Sequence, residues 1–373
     1  MPVDAAALPG LTATVRWASF ALAFVFGAVA QKTNFCTMGA VADLVNFGDW
    51  TRMRQWLLAI GVAILGTGAL AATGVIDTGK TFYTAPRFTL LSYVLGGLLF
   101  GFGMVLAGGC GSKTLVRLGG GSLKSLVVFL MIGITAYITL RGVLGVLRVT
   151  AIDPVGTEFA TPQDLPSLLA AALGVAKGTL QWLLALAIGG ALAAFALIRR
   201  EFRTRDNLLA GFAIGAVIAA MWFVSGSLGH LTEHPETLEE TYLATSSGRM
   251  EALSFVAPIA YLLDWLVFFS DKSKVLTVGV VAVFGMVAGS AAVALATRSF
   301  RWEGFADTED TANHLAGGAL MGFGGVTALG CTVGQGLSGV STLAIGSFIA
   351  LASIIGGAVA GLKYQMWRLE RMA

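Results

Sequence analysis

The sequence predicts an all-α, polytopic membrane protein, and three observations support this fold class. Hydrophobic residues make up 56% of the 373 residues and charged residues only 12%, whereas an average soluble domain is about 25% charged. The apolar residues form long continuous runs, unlike the alternating segments of about ten residues in a membrane β-barrel. The 49 glycines suit helices that pack closely through small residues.

The hydropathy pattern places ten candidate spans in a single transmembrane domain over residues 1–373. Each span approaches the roughly 20 apolar residues that a helix needs to cross a bilayer. A further short apolar stretch at 166–176 is typical of an interfacial helix. The predicted spans are 15–31, 55–75, 89–107, 123–145, 177–198, 207–225, 250–270, 275–297, 314–329 and 339–362.

Charge and motifs exclude several classes of protein. The formal net charge of +3 is too small to indicate nucleic-acid binding, and no basic run carries interleaved aromatic residues. The sequence has no GxxxxGK[ST] motif, so we do not expect the chain to be an ATP-driven pump by itself. Ionisable residues inside the spans are sparse, and Asp43 and Asp264 are the best candidates for proton coupling.

The distribution of loop charges suggests an orientation. Four arginines cluster within residues 199–205, and the segment 363–371 is also basic, so both are expected on the cytoplasmic side by the positive-inside rule. Residues 228–251 are acidic and are expected outside. Residues 1–11 lack the basic segment that begins a cleavable signal peptide.

Three apolar helices are predicted to stop at small-residue turns and to resume as short stretches. These junctions are residues 32–39, 108–113 and 329–336, and all three cysteines of the chain lie in them. The stretches that follow are too short to span and predict re-entrant half-helices at Ala40–Phe47, Thr114–Gly119 and Gln335–Leu343. Non-helical backbone at membrane depth is tolerated only where it is buried in protein or lines a cavity.

The sequence also repeats itself. Residues 96–110 match residues 317–331 at a constant spacing, sharing a Gly pair, Gly-Phe-Gly, a Val and the final Gly-Cys. A weaker match relates 27–36 to 215–224, with Val224 in the place of Cys36. We therefore predict two pseudo-symmetric halves, 15–145 and 177–362, each containing two broken helices. Such repeats usually meet at a site near the membrane midplane.

Three cysteines at three helix breaks favour an anion path over other thiol chemistry. A metal site needs about four Cys or His ligands, or three with a water, and a catalytic thiol needs a neighbouring base. The three histidines lie away from the breaks in sequence, so we expect no metal, no cofactor and no enzyme activity. One disulfide would leave the repeat unexplained. Helix N-termini attract anions, and neutral thiols suit a soft, sulphur-containing anion.

Further candidate residues flank the thiols. Lysine offers a cation, and the polar side chains offer hydrogen-bond donors that could equally cap a helix. Glycine has no side chain, so a ligand can approach its backbone closely. With the cysteines, the candidate substrate path is Cys36, Cys110, Cys331, Asn34, Gly109, Gly111, Ser112, Lys113, Gly330, Thr332 and Gln335.

The motifs Asn34–Ala40, Ala107–Cys110 and Leu329–Gly336 resemble the YeeE/YedE family of bacterial sulphur-compound transporters, and the resemblance extends over about residues 15–365. It implies a bacterial inner-membrane protein with an hourglass shape that takes up thiosulfate. It also implies that the anion passes between thiols by S–H···S hydrogen bonds, at Cys36, Cys110 and Cys331 by motif position. Some relatives cooperate with a TusA-type sulphur carrier, which we expect here to be a separate protein.

The expected partners are thus a thiosulfate-like small anion and membrane lipid, without nucleic acid, and two alternatives stay open. One branch of the family is associated with selenium metabolism, so a selenium compound is an alternative substrate. The other alternative is a membrane thiol protein that relays sulfane sulphur covalently, as a persulfide, to a carrier. That chemistry needs a thiolate of lowered pKa, whereas a non-covalent path works with neutral thiols.

Overall fold

The computed structural model describes residues 5–372 and is all-helical apart from two small β pairs. Residues 1–4 and 373 of the predicted domain lie outside the described part. The α-helices in residues 5–372 are α1 (Leu8–Thr33), α2 (Thr37–Phe47), α3 (Thr51–Ala72), α4 (Leu90–Leu106), α5 (Gly111–Gly119), α6 (Leu123–Arg141), α7 (Val143–Leu147), α8 (Leu165–Leu173), α9 (Lys177–Leu184), α10 (Gly190–Leu197), α11 (Arg205–Phe223), α12 (Ala257–Val267), α13 (Val278–Ala296), α14 (Thr308–Thr327) and α15 (Ile345–Met372).

Shorter elements connect or extend these helices. Short 3₁₀ turns occur at Ala5–Ala7, Thr78–Lys80 and Arg200–Phe202, and π-helical turns at Arg148–Ile152, Ala185–Gly189, Val224–Leu228 and Gly334–Gly339. The two β pairs are antiparallel: β1 (Arg87–Phe88) with β2 (Thr157–Glu158), and β3 (His230–Leu231) with β4 (Thr241–Tyr242). In the first pair Arg87 is opposite Glu158, and in the second His230 is opposite Tyr242.

Side-chain caps fix where several helices begin. Ser122 caps α6, Asp164 caps α8, Thr204 caps α11 and Asp307 caps α14, each accepting the backbone N–H three residues ahead. These bonds satisfy N–H groups that the first turn of a helix leaves without an internal partner. The caps therefore fix the residue at which each helix begins, and with it which residues lie on the face that packs into the bundle.

Eight helical segments within the described residues are long and apolar enough to cross a membrane, fewer than the ten spans predicted. The 314–329 span overlaps α14, which starts earlier because Asp307 caps it and ends two residues earlier, at Thr327. The polar residues in the first turns of α14 exclude this helix from the eight membrane-crossing segments. The 123–145 span stops at Arg141, and the 339–362 span begins only at Ile345. At 166–176 a helix is present, α8.

The predicted span 250–270 is wrong. Only α12 is helical there, with eleven residues, and Pro258 stands in its first turn. The segment before it, 250–256, is non-helical and mostly buried, with Met250 N–H bonded to Lys80 O at 3.3 Å and Glu251 N–H bonded to Ser225 Oγ at 2.7 Å. Hydropathy selected this stretch because it is buried in protein, and burial in protein looks the same as burial in lipid.

Glycines let α4 and α14 touch backbone to backbone. A Cβ on Gly103 would lie 2.7 Å from Gly317 O, and one on Gly317 would lie 2.5 Å from Gly103 O. Gly96 and Gly324 approach in the same reciprocal way, at 2.8 and 2.6 Å. These four glycines occupy equivalent positions of the sequence repeat, in which Gly96 matches Gly317 and Gly103 matches Gly324. Membrane helices pack by such close contacts because the hydrophobic effect does not favour helix association within lipid.

The connecting segments form two groups, one at each end of the bundle. At one end, which we call the basic face, Arg301 N–H bonds Gly120 O at 3.1 Å and the rings of Trp50 and Phe195 are in contact. At the opposite face, Thr81 pairs with Met250 and β1 pairs with β2. The arginine cluster 199–205 follows Phe195 at the basic face.

We expect Gly103→Ala to destabilise the protein by about 1–3 kcal/mol, because the new Cβ would overlap the Gly317 carbonyl. The matched control is Gly190→Ala in α10, where a Cβ would meet nothing within 4 Å. Thermal unfolding of the two purified variants in detergent checks this. Equal midpoints would contradict the close α4–α14 contact.

Candidate functional site

The three predicted breaks share one backbone geometry. Two residues before each cysteine the chain turns through the left-handed region, at Asn34 with φ 52°, Gly108 with φ 66° and Leu329 with φ 58°. This conformation ends an α-helix and redirects the chain. Each cysteine then stands at the start of the next helical segment. The sequence predicted these three positions correctly.

Two of the breaks are also identical in their hydrogen bonds. Gly109 N–H bonds Met104 O at 2.8 Å, and the corresponding Gly330 N–H bonds Gly325 O at 2.8 Å. The neighbouring bonds, from Gly108 to Val105 and from Leu329 to Val326, also correspond. Such paired bonds satisfy the last carbonyls of a helix. The repeat seen in the sequence at 96–110 and 317–331 is therefore a repeat in local structure.

The cysteines lie at the first turn of the helical segments that follow the breaks, where backbone N–H groups point toward two of the thiols. The carbonyls of Cys36, Cys110 and Cys331 each accept the N–H four residues ahead, at 3.0, 2.9 and 2.7 Å. Gly39 N–H points at Cys36 Sγ and Gly334 N–H at Cys331 Sγ, both at 3.4 Å. In the middle unit, Cys110 Sγ is instead 3.2 Å from Ser112 Oγ, the predicted donor.

All three cysteines are buried and free of disulfide bonds. Cys110 is close enough to both Cys36 and Cys331 for the charges of the groups to interact. The three thiols that the sequence spreads over about 300 residues therefore lie in one neighbourhood, with Cys110 between the others. The aromatic ring of Phe35, directly before Cys36, is stacked on Trp56 with ring centroids 5.6 Å apart.

The segments after the breaks differ from one another. The predicted half-helices Ala40–Phe47 and Thr114–Gly119 fall within α2 and α5, which begin at the cysteines. The predicted half-helix Gln335–Leu343 lies in a helical segment that runs from Thr332 to Ser341, with the π-helical turn Gly334–Gly339 at its centre, so it ends two residues earlier than predicted. The fourth unit has no break, because α11 continues through Val224 as a π-helical turn. Val224 is nonetheless buried in the same core as Cys110 and Cys331.

Around Cys331 several buried polar groups lack partners. Thr332 Oγ1 and Gln335 Oε1 have no hydrogen-bond partner among residues 5–372, while Gln335 Nε2 donates to Ala328 O. A Cβ on Gly334 would lie 2.7 Å from Ser254 Oγ and 3.2 Å from Tyr83 Oη, so both hydroxyls flank the turn. Unpartnered polar groups in a protein interior are costly unless a ligand or water satisfies them.

A cavity of about 220 Å³ lies beside this turn. We call it the Glu251 cavity. Leu329 and Gly330, the residues directly before Cys331, line it, and its polar lining residues include Glu251, Arg148 and Ser254. A Cβ on Gly330 would lie 3.1 Å from Gln335 Cγ, so glycine keeps the cavity end narrow but open.

Cations gather on the other side of the thiols, toward the basic face. We call Arg52, Lys113 and Arg117 the basic cluster. The Arg52 guanidinium rests on Gly39, and its Nε is 3.1 Å from Asp43 Oδ2. The Lys113 stem packs on Gly109, 3.1 Å from a Cβ there. Lys113 and Arg117 form no ion pair with the described residues. Each lies near enough to Cys36 for their charges to interact.

Not every predicted residue is equally well placed. Asn34 is exposed and turns the chain, and Gly111 has only ordinary contacts, the nearest 3.9 Å from Phe255 O. Asp264 is held by Lys274 at 2.7 Å and Tyr137 at 2.8 Å, on the opposite face. Asp43 is paired with Arg52, as described above, so both acidic candidates for proton coupling form ion pairs with basic side chains.

Sequence reasoning missed the groups that distant segments bring to the site. Tyr83 and Ser254 lie in connecting segments without a motif. Arg117 could have been found, because it stands four residues after Lys113 on α5, one helical turn away. Burial raises the pKa of Tyr83, which therefore stays a hydroxyl donor near Gly334 at neutral pH. In residues 5–372 no three His, Cys, Asp or Glu side chains form a metal-binding group.

The spans and the buried thiols at broken helices define a multi-pass α-helical membrane protein with a polar interior. The chain belongs to the sulphur transport family, which it matches over residues 32–360. It is 28% identical to the thiosulfate transporter TsuA of Escherichia coli K12, covering 89% of this chain and 90% of that protein. The predicted membership of a family of sulphur-compound transporters is confirmed.

Two other relatives support the same assignment. The thiosulfate transporter TsuA of Spirochaeta thermophila is 25% identical, over 90% of this chain and 94% of that protein. The probable transporter YedE of Salmonella typhimurium is 32% identical over 92 residues, which cover 25% of this chain and 21% of that protein. The similarity to TsuA therefore extends over nearly the whole chain, whereas the similarity to YedE is local.

We expect Asn34→Ala to lower the free energy of unfolding by about 1 kcal/mol, because alanine is disfavoured at φ 52°. Asn34→Gly should be neutral or slightly stabilising, since glycine adopts this conformation freely. Thermal unfolding of both variants is the measurement. If the alanine and glycine variants unfold at the same temperature, the left-handed turn does not select the residue at this position.

Proposed function

We propose that the protein takes up thiosulfate, or a closely related small sulphur anion, across the bacterial inner membrane along a path marked by its three cysteines. The observation that carries the proposal is the convergence of Cys36, Cys110 and Cys331 at three breaks of one geometry. Membership of the sulphur transport family supports it, as does the similarity to TsuA thiosulfate transporters over about nine-tenths of the chain.

The chemistry of the breaks suits a dianion. Bringing such a charge to membrane depth is costly unless fixed dipoles replace its water. The first-turn N–H groups of α2, α5 and the turn after Cys331 supply such dipoles. Neutral thiols add weak S–H donors that also accept hydrogen bonds, so the terminal sulphur of thiosulfate can pass from one thiol to the next without a covalent step.

Helix contacts support an inverted repeat of the two halves, 15–145 and 177–362. In the sequence repeat, α1 corresponds to α11 and α4 corresponds to α14. Helix α1 of the first half packs on α13 of the second, and α11 of the second half packs on α3 of the first. In the same way α4 packs on α15, and α14 packs on α6. Each contact between the halves therefore has a counterpart in which the first and second halves are exchanged. The reciprocal glycine contacts of α4 with α14 follow the same rule. A pseudo-twofold axis through the α4–α14 crossing explains all of these pairs.

This symmetry supports a direction for the path. The broken helices of the first half run toward the basic face and those of the second half run away from it. Under the positive-inside rule the basic face is cytoplasmic. The anion then passes from the Glu251 cavity to Cys331, Cys110 and Cys36, and leaves past the basic cluster. A soluble TusA-type carrier on that side stays a prediction.

We expect Cys110→Ala and Cys331→Ala to lower thiosulfate uptake at least about tenfold, which corresponds to about 1.4 kcal/mol in the barrier. Uptake of labelled thiosulfate, or growth with thiosulfate as the sulphur source, measures the effect. Cys110→Ser is the matched control, because serine keeps a small side chain with an O–H donor and should retain more uptake than alanine.

Three outcomes of these assays would redirect the assignment. Wild-type uptake in both alanine variants would reduce the thiols to packing residues. Inhibition by sulfate as strong as that by unlabelled thiosulfate would show that the thiols do not select for sulphur. A persulfide trapped on Cys110 would favour the covalent relay, and preferential uptake of a selenium compound would change the substrate.

We expect Gly330→Val to block uptake with little change in folding. A side chain at residue 330 would enter the end of the Glu251 cavity and press on Gln335, 3.1 Å from the new Cβ. The control is Gly356→Val on α15, where a Cβ would meet only Leu98 Cδ2 at 3.7 Å. Membrane abundance, unfolding temperature and uptake are compared for both variants, and normal uptake by Gly330→Val would place the path elsewhere.

A further inference from the structure

The Glu251 cavity is lined both by Gly330, the residue directly before Cys331, and by the carboxyl-bearing Glu251. Glu251 is half-buried, and its Oε1 accepts the N–H groups of Ser246 at 3.0 Å and Ser247 at 2.8 Å. Its backbone N–H is fixed by Ser225 Oγ at 2.7 Å. The carboxyl is therefore held in place and is not a freely moving surface group.

Glu251 and Arg148 are the charged side chains that line the cavity, and Arg141 and Asp264 lie near Tyr261 of the same wall. Arg148 lies in the same wall, but its Nε is 3.5 Å from Asp153 Oδ2, so part of its charge is already neutralised. Tyr83 and Tyr261 face the carboxyl from two other elements and carry no charge at neutral pH. An ionised Glu251 would leave this cavity without the net positive charge that a dianion needs.

We propose that the Glu251 cavity is the first binding site of a divalent sulphur anion, and that it admits the anion only when the Glu251 carboxyl carries a proton. This inference rests on the proposed function. Protonation removes the repulsion between the carboxylate and the dianion, and leaves Arg148 and the hydroxyls of Ser254 and Tyr261 to hold the anion beside Gly330. At close range like charges repel strongly when water is excluded.

The environment of Glu251 favours the protonated form of its carboxyl group. Burial raises the pKa of Glu251 above its usual value, against the opposing effect of the Ser246 and Ser247 N–H groups. A group with a raised pKa is neutral below that pKa and becomes charged as the pH rises through it. Uptake should therefore increase as the external pH falls, since each pH unit above the pKa lowers the protonated fraction about tenfold.

The test is initial uptake of labelled thiosulfate by cells without other thiosulfate transporters, at external pH from about 5 to about 8. Glu251→Gln resembles the protonated carboxyl and keeps an oxygen for the Ser246 and Ser247 N–H groups, so it should fold. We expect it to abolish the pH dependence and to hold uptake at the wild-type rate of the lowest pH. The control Glu236→Gln, in the exposed acidic loop, should behave as wild type.

The outcomes separate this inference from the proposed function. It is overturned if wild-type uptake does not rise at low pH, if Glu251→Gln keeps the wild-type pH profile, or if Glu251→Gln reaches the membrane in normal amount but transports at no pH. In each of these cases the wild type still takes up thiosulfate. Failure of the wild type at every pH would refute the proposed function, and this inference with it.

Discussion

Backbone hydrogen bonding inside the membrane is the constraint on which the site depends. A helix that stops at membrane depth must satisfy its last carbonyls and the first N–H groups of the segment that follows. The left-handed residues Gly108 and Leu329 meet the first requirement by turning the chain so that their own and the next N–H groups bond back to the helix. Toward the second requirement, the thiols of Cys36 and Cys331 accept the N–H groups three residues ahead.

Close helix packing fixes where the two matching breaks lie. Helices α4 and α14 cross antiparallel with glycine against glycine, so Ala107 at the end of α4 lies on Gly317 and Ala328 at the end of α14 lies on Gly96. The segments that follow bring Cys110 near enough to Cys331 for the charges of the two groups to interact. A larger side chain at any of the four glycines would push α4 and α14 apart and so would shift both breaks.

The sequence predicted the parts of the structure that depend on local chemistry. The breaks could be predicted because a glycine or an asparagine stands one or two residues before each cysteine, and most spans followed from hydropathy alone. The error at 250–270 arose because those residues are buried in protein, a distinction that hydropathy does not make. Tyr83, Ser254 and Glu251 could not be assigned, because only the folded chain brings them from separate segments to Cys331.

The exchange of helix partners between the two halves has a consequence for biosynthesis. Helices α1, α4 and α6 find their main partners, α13, α15 and α14, only in the second half of the chain. While the ribosome is still making that second half, the glycine-rich faces of the first half are exposed to lipid or to the insertion machinery. The protein therefore cannot mature one half at a time, and its assembly is a late event that follows the insertion of α15.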